Sequence, residues 1–174
     1  MKVLKAIKHY LIVAIVCVYF VFVVAMTLLV LNFNDYGVTQ YGEKSLAIIN
    51  SNIANDNYKK GDLVVVKSAK LENLKVGEEL FTYAVDAKGV VSIDLGKIGK
   101  VYPDENAVSF ENGKTYGMDF IMGVPEKTYE DVGGFLSIVE SKWGFLFLVL
   151  VPSFMIFIYQ VYALIVEIKY GEEE

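Results

Sequence analysis

The sequence predicts a mainly β protein, a small antiparallel β domain set between two transmembrane helices. Three observations lead there. Apolar residues make up 55% of the 174, more than an ordinary soluble domain of that length carries. The excess is gathered into two uncharged stretches, one towards each end. Between them run short β-branched and aromatic segments punctuated by Gly and Asn, the pattern of strands and turns.

Residues 1–9 carry Lys2, Lys5 and Lys8 and are expected to stay in the cytoplasm, since positive charge beside a span favours that side. Residues 10–32 follow, with YLIVAIVCVYFVFVVAMTLLVL at their centre. That run exceeds the roughly 20 residues that cross a hydrocarbon core of about 30 Å as helix. It is also longer than the 7–15 apolar residues of a cleaved signal peptide, and NFNDYG after it has no small-x-small cleavage site, so a retained anchor is expected. Residues 33–142 form the β domain. Strand signals are TQYGEKSLAIINS (39–51), GDLVVVKSA (61–69), EELFTYAVDAKGVVSIDL (78–95) as two strands joined at Asp86–Gly89, KIGKVYP (97–103) and NAVSFENGKTYGMDFIMG (106–123). EDVGGFLSIVESKWGF (130–145) then runs amphipathically towards the second span, with Trp143 at the water–lipid boundary where indole rings are favoured. Residues 143–166 are the second span, kinked by Pro152, and 167–174 a cytoplasmic tail. Two spans leave both termini inside the plasma membrane and the β domain outside.

Composition excludes several functions. The chain has no arginine and a net charge of −5, so no nucleic-acid partner is expected; the expected surroundings are membrane lipid. Cys17, the only cysteine, lies in the first span, which removes an intrachain disulfide, a cysteine-cluster metal site and a thiol nucleophile in the β domain. His9, the only histidine, stands at the cytoplasmic foot of that span and is too far away to act in the β domain. No metal and no cofactor are expected, because zinc would lack ligands and neither NDN (55–57) nor DAKG (86–89) has the acidic spacing of a calcium loop. Serine with a desolvated lysine is the one hydrolytic pair the domain has the residues to build.

The order of motifs resembles the type I signal peptidases, in the subtype shared by endoplasmic-reticulum, archaeal and some Gram-positive enzymes, which has a C-terminal span. The residues that carry the likeness are KKGDLVVVK (59–67), KVGEELFTY (75–83) and VGGFLSIVESKWGFLFLVLVPSFMIFIYQVYALIVEIK (132–169). The resemblance implies a membrane serine endopeptidase fold that removes signal peptides from exported proteins. The family's Ser-x-Ser-Met-x-Pro box, counted back from Gly61–Asp62, places Ser51 on the first serine, Ile53 on the nucleophile, Ala54 on the methionine and Asp56 on the proline. Its base motif falls on VVSID, with Ile93 on the base and Asp94 on the following arginine. Its acidic motif falls on ENGKTYGMD, with Lys114 on the aspartate and Asp119 as a displaced substitute.

With isoleucine at both reactive positions, the resemblance implies a non-catalytic relative, a pseudoenzyme at the outer membrane face. Its expected role is to bind secretory precursor peptides or to partner an active signal peptidase. The competing expectation is an active membrane serine endopeptidase using Ser51 with Lys88 or Lys97, supported by Asp119. A third is an unrelated two-span envelope or receptor protein.

Overall fold

The computed structural model describes residues 2–170. The side chains of Lys2, Lys5, Lys8 and His9, on which the N-terminal orientation rests, lie outside the described residues, as do residues 171–174 of the tail. The chain divides into two compact units, Leu29–Ser137 and the two flanking segments Met1–Leu28 with Ile138–Glu174.

The flanking unit is helical. Helix α1 spans Lys2–Leu31, and its stretch Tyr10–Leu31 is long and apolar enough to cross a membrane. Thr27, a polar residue in that stretch, donates its hydroxyl to the Val23 carbonyl at 2.8 Å and so satisfies itself within the helix. The second such helix runs Lys142–Lys169. It opens as α3, Lys142–Phe145, widens into a π-helical turn over Leu146–Leu150, and continues as α4, Val151–Tyr170. The wide turn lies just before Pro152, whose ring nitrogen has no hydrogen to donate. The Tyr19 hydroxyl of α1 meets the helix there: it donates to the Val149 carbonyl at 3.0 Å, with the Leu148 carbonyl at 3.3 Å and Ser153 Oγ at 3.1 Å.

The other unit is an antiparallel sheet of eight strands: β1 Gln40–Tyr41, β2 Lys44–Ile48, β3 Leu63–Lys67, β4 Glu79–Val85, β5 Val91–Tyr102, β6 Ala107–Phe110, β7 Thr115–Gly117 and β8 Ile121–Tyr129. They are ordered β1-β2-β3-β8-β4-β5-β6-β7. Strand β8 inserts between β3 and β4, and register shifts within its pairings with both let it turn from one to the other. The expected fold class is therefore met, and three details of the sequence reading change. Within 39–51 the strand signal is a tight hairpin, β1–β2 over residues 40–48, and not one strand. The segment 97–103 is not separate but continues β5, which bends where its register on β6 shifts between Ile98 and Lys100. The amphipathic run does not flow into the second span: α2, Val132–Glu140, stops, and Ser141 caps a new helix by accepting the Gly144 N–H at 2.9 Å.

Side chains alternate across the strands, and the sheet buries both faces. On one, Ala47, Ile49, Val64, Val66, Phe81, Tyr83 and Met122 pack with Ile53 and Tyr58. On the other, Leu80, Ile98, Val108 and Phe110 pack with Leu74.

Candidate functional site

The asparagine-rich loop before β3 is folded by its own side chains. Asn50 Oδ1 accepts the Asn52 N–H at 2.9 Å, and Asn55 Oδ1 accepts those of Asn57 and Tyr58 at 2.8 and 3.0 Å. Such turns are what Asn supplies most readily. The Asn50 carbonyl also accepts from Ile53 and Ala54 at 3.4 and 3.1 Å. The outcome is that Ile53 points inwards, 7% exposed within the first core cluster, while Ser51 and Asn52 face solvent. Tyr58 closes the loop: its ring stands edge-on to Phe81 at 5.8 Å and its hydroxyl donates to Glu79 Oε2 at 2.9 Å. Burial, reinforced by the neighbouring Glu79 carboxylate, raises the Tyr58 hydroxyl well above its ordinary pKa.

The Gly61–Asp62 turn is clamped from far along the chain. Gly61 holds φ at +97°, which glycine adopts without steric cost. The buried Asp62 carboxylate accepts Lys59 N–H on Oδ2 at 2.8 Å and Asp131 N–H on Oδ1 at 3.2 Å. Gly133, at the start of α2, lies so close that a Cβ there would stand 2.7 Å from the Asp62 carbonyl oxygen and 3.0 Å from that of Gly61. The next residue, Gly134, donates its N–H to Gly61 O at 3.1 Å. Gly61–Asp62 of KKGDLVVVK and Gly133 of VGGFLSIV, quoted apart in the sequence, thus meet in one structural joint.

Ile93 stands opposite Tyr83 on the β4–β5 hairpin and packs, half-buried, against the cluster that holds Ile53. The positions that the resemblance assigns to nucleophile and base thus carry two alkyl side chains at one core. Lys88 sits in the exposed hairpin turn, where Asp86 Oδ1 accepts its N–H at 2.8 Å, and Lys97 is exposed on β5 opposite Glu79. Asp119 is exposed and its carbonyl accepts the Tyr36 hydroxyl at 2.9 Å. Among the described residues, no hydrogen bond or ion pair joins any two of Ser51, Lys88, Lys97 and Asp119. Among the described residues of the β unit, no serine hydroxyl is hydrogen-bonded to a lysine amine; Ser92 and Ser137 donate to the Ala84 and Gly134 carbonyls at 3.3 and 2.8 Å.

Asp94 does have a partner. Its Oδ2 accepts from Lys114 Nζ and from the Tyr116 hydroxyl, each at 2.6 Å. Partial burial by itself pushes the Asp94 carboxyl up, but the two hydrogen bonds and the lysine charge outweigh it and hold the group below the usual carboxylate range. The same contact raises the Lys114 ammonium, and burial followed by the hydrogen bond to Asp94 raises Tyr116. The resemblance assigns arginine and aspartate to the positions of Asp94 and Lys114.

Beside the isoleucine cluster lies a polar cavity of about 210 Å³, lined by residues that include Asn34, Tyr36, Gln40, Ser45, Tyr83 and Met122. Tyr83 and Met122 face it and the core at once. Asn34 organises one wall: Oδ1 accepts the N–H groups of Tyr36 and Val38, both at 3.0 Å, and Nδ2 donates to the Tyr83 hydroxyl at 2.7 Å and Gln40 Oε1 at 3.1 Å. Tyr36 stacks on Tyr83 with ring centroids 4.1 Å apart. Burial raises the Tyr83 hydroxyl above its ordinary value, so it is a neutral hydrogen-bonding group. The sequence reading passed over this cluster; the one signal for it was NFNDYG, three polar side chains and a glycine directly after an apolar helix.

These observations define a class: an antiparallel β domain with a polar cavity and an alkyl-filled loop, carried between two helices apolar enough to span a membrane. No protein-family model, no curated protein and no solved structure matches the chain.

Proposed function

We propose that this protein is a signal-peptidase-like membrane protein that has given up peptide-bond cleavage and retains a binding role. It sits in the plasma membrane with both termini in the cytoplasm and the β domain outside, where it holds an extended secretory precursor or an active signal peptidase. The observation that carries this reading is the pair Ile53 and Ile93, alkyl side chains at one core in the two positions where the family has its reactive groups. Neither side chain has an atom that can attack a carbonyl or take a proton. The joint between Gly61–Asp62 and Gly133, which brings together the two stretches that carry the resemblance, supports the register on which that assignment depends.

Binding by strand addition needs only free backbone groups. Residues Val91–Gly96 of β5 pair with β4, while the pairing with β6 begins at Ile98. Apart from the Leu95 N–H, which Asp94 Oδ1 accepts at 3.0 Å, their outer side, next to Ile93, is the edge on which a peptide strand would pair. The test is to incubate the purified full chain with a secretory precursor and to place a photo-crosslinking residue at Ser92. Crosslinked, uncut precursor or signal peptidase is expected. Cleavage that Ser51→Ala abolishes would overturn the reading, as would crosslinking to neither.

A further inference from the structure

The two apolar helices pair several of their own polar groups. Thr27 is bonded within α1, and Tyr19 and Ser153 meet each other. Gln160 of α4 has no hydrogen-bond partner among the described residues and is exposed on the helix surface. It lies about 26 Å of helix beyond Trp143 and about 14 Å before Lys169, at about 1.5 Å per residue, which is inside a hydrocarbon layer of about 30 Å. A primary amide carries two donors and an acceptor, and hydrocarbon offers partners for none of them. Gln160 shares a face with Ser153 and Ile156. With Val16, Tyr19, Phe20 and Val23 of α1 these residues line an open groove of about 300 Å³.

We propose that this groove is the interface between two copies of the chain, closed by reciprocal hydrogen bonds between their Gln160 amides across a two-fold axis. The inference rests on the membrane placement proposed above. An amide is its own complement, donor to acceptor and acceptor to donor, so a two-fold axis beside residue 160 supplies each copy with what it lacks. The apolar segment of a signal peptide offers no such group, because its backbone is already bonded within its own helix. Interhelical side-chain hydrogen bonds of this kind hold membrane helices together where apolar faces give no preference over lipid.

The test uses the full chain in membranes with the sole cysteine removed by Cys17→Ala. A single cysteine is placed either at Ile156, on the groove, or at Ile158, about 200° round the helix. Oxidation is expected to give a crosslinked dimer from Ile156→Cys and not from Ile158→Cys. Adding Gln160→Leu should cut the dimer yield by about three- to tenfold, whereas Gln160→Asn should keep most of it. Equal yields at both positions, a yield indifferent to Gln160→Leu, or crosslinks from Ile156→Cys to a different protein alone would overturn the dimer. Carbonate extraction is run alongside: protein that stays in the membrane pellet without dimerising refutes only the dimer, and protein that leaves it refutes the membrane placement as well.

Discussion

Ile53 shows how a loop residue becomes core. Nothing in INSNIANDNY marks it as buried, yet the Asn50 and Asn55 side chains fold the loop so that this alkyl group fills a space among Ile49, Val66 and Phe81. Ile53→Ala should therefore cost about 2–5 kcal/mol of unfolding free energy, as large-to-small core changes do. Ser51→Ala, on the exposed side of the same turn, should cost about 0.5 kcal/mol or less. Denaturant unfolding of the solubilised full chain measures both, and comparable losses would show that the loop packs the other way round. At Asp94 the prediction is pH dependence. Its folded pKa is lowered, so the contribution is complete above about pH 4, the ordinary aspartate value, and fades as the pH falls through the folded value. Lys114 and Tyr116 are raised, so their contributions are complete below about pH 10 and fade as the pH rises through their folded values. Asp94→Asn should flatten both limbs of a stability–pH curve. The cost at neutral pH should be about 1 kcal/mol, small because Lys114 is largely exposed.

Among the elements, α2 is the one placed by close approach of backbone to backbone. Its first turn lies on the Gly61–Asp62 backbone, and Gly133 is required because any Cβ would meet two carbonyl oxygens. Backbone cannot swing aside as a side chain can, so Gly133→Ala should lower stability by about 2 kcal/mol or more, within the range of overpacking substitutions. Gly134→Ala has open space around it and should be tolerated, or slightly stabilising through helix propensity. Thermal unfolding of the two variants distinguishes them, and equal shifts would mean that α2 does not rest on the turn. The strands tell the opposite story, because their pairing was largely legible. The hairpin β4–β5 follows from Asp86–Gly89 between two β-branched runs, and Asp86 Oδ1 holds the turn by accepting the Lys88 and Val90 N–H groups, both at 2.8 Å. What the strand signals left open was continuity: the segments 78–95 and 97–103 part at Gly96, whereas in the sheet Gly96 lies inside one twelve-residue strand.

At the scale of the whole molecule, the β unit has cores of its own on both faces of its sheet. A fragment covering residues 32–141 should therefore fold alone, with a β-type circular dichroism spectrum and one cooperative unfolding transition; a molten, non-cooperative fragment would contradict that. The sequence by itself determined the class, two apolar helices around an antiparallel β domain, because length, charge exclusion and two-residue alternation are local properties. Its motif order resembles that of the signal peptidases, and on the register proposed above isoleucine stands at both reactive positions. Tertiary structure decided what those residues meet. Burial of Ile53, the junction of Gly133 with Asp62, the ion pair of Asp94 with Lys114, and the Asn34–Tyr83 cavity all join segments that are distant in the chain. Such contacts depend on strand order, above all on β8 entering between β3 and β4, and no periodicity within a segment encodes its neighbours.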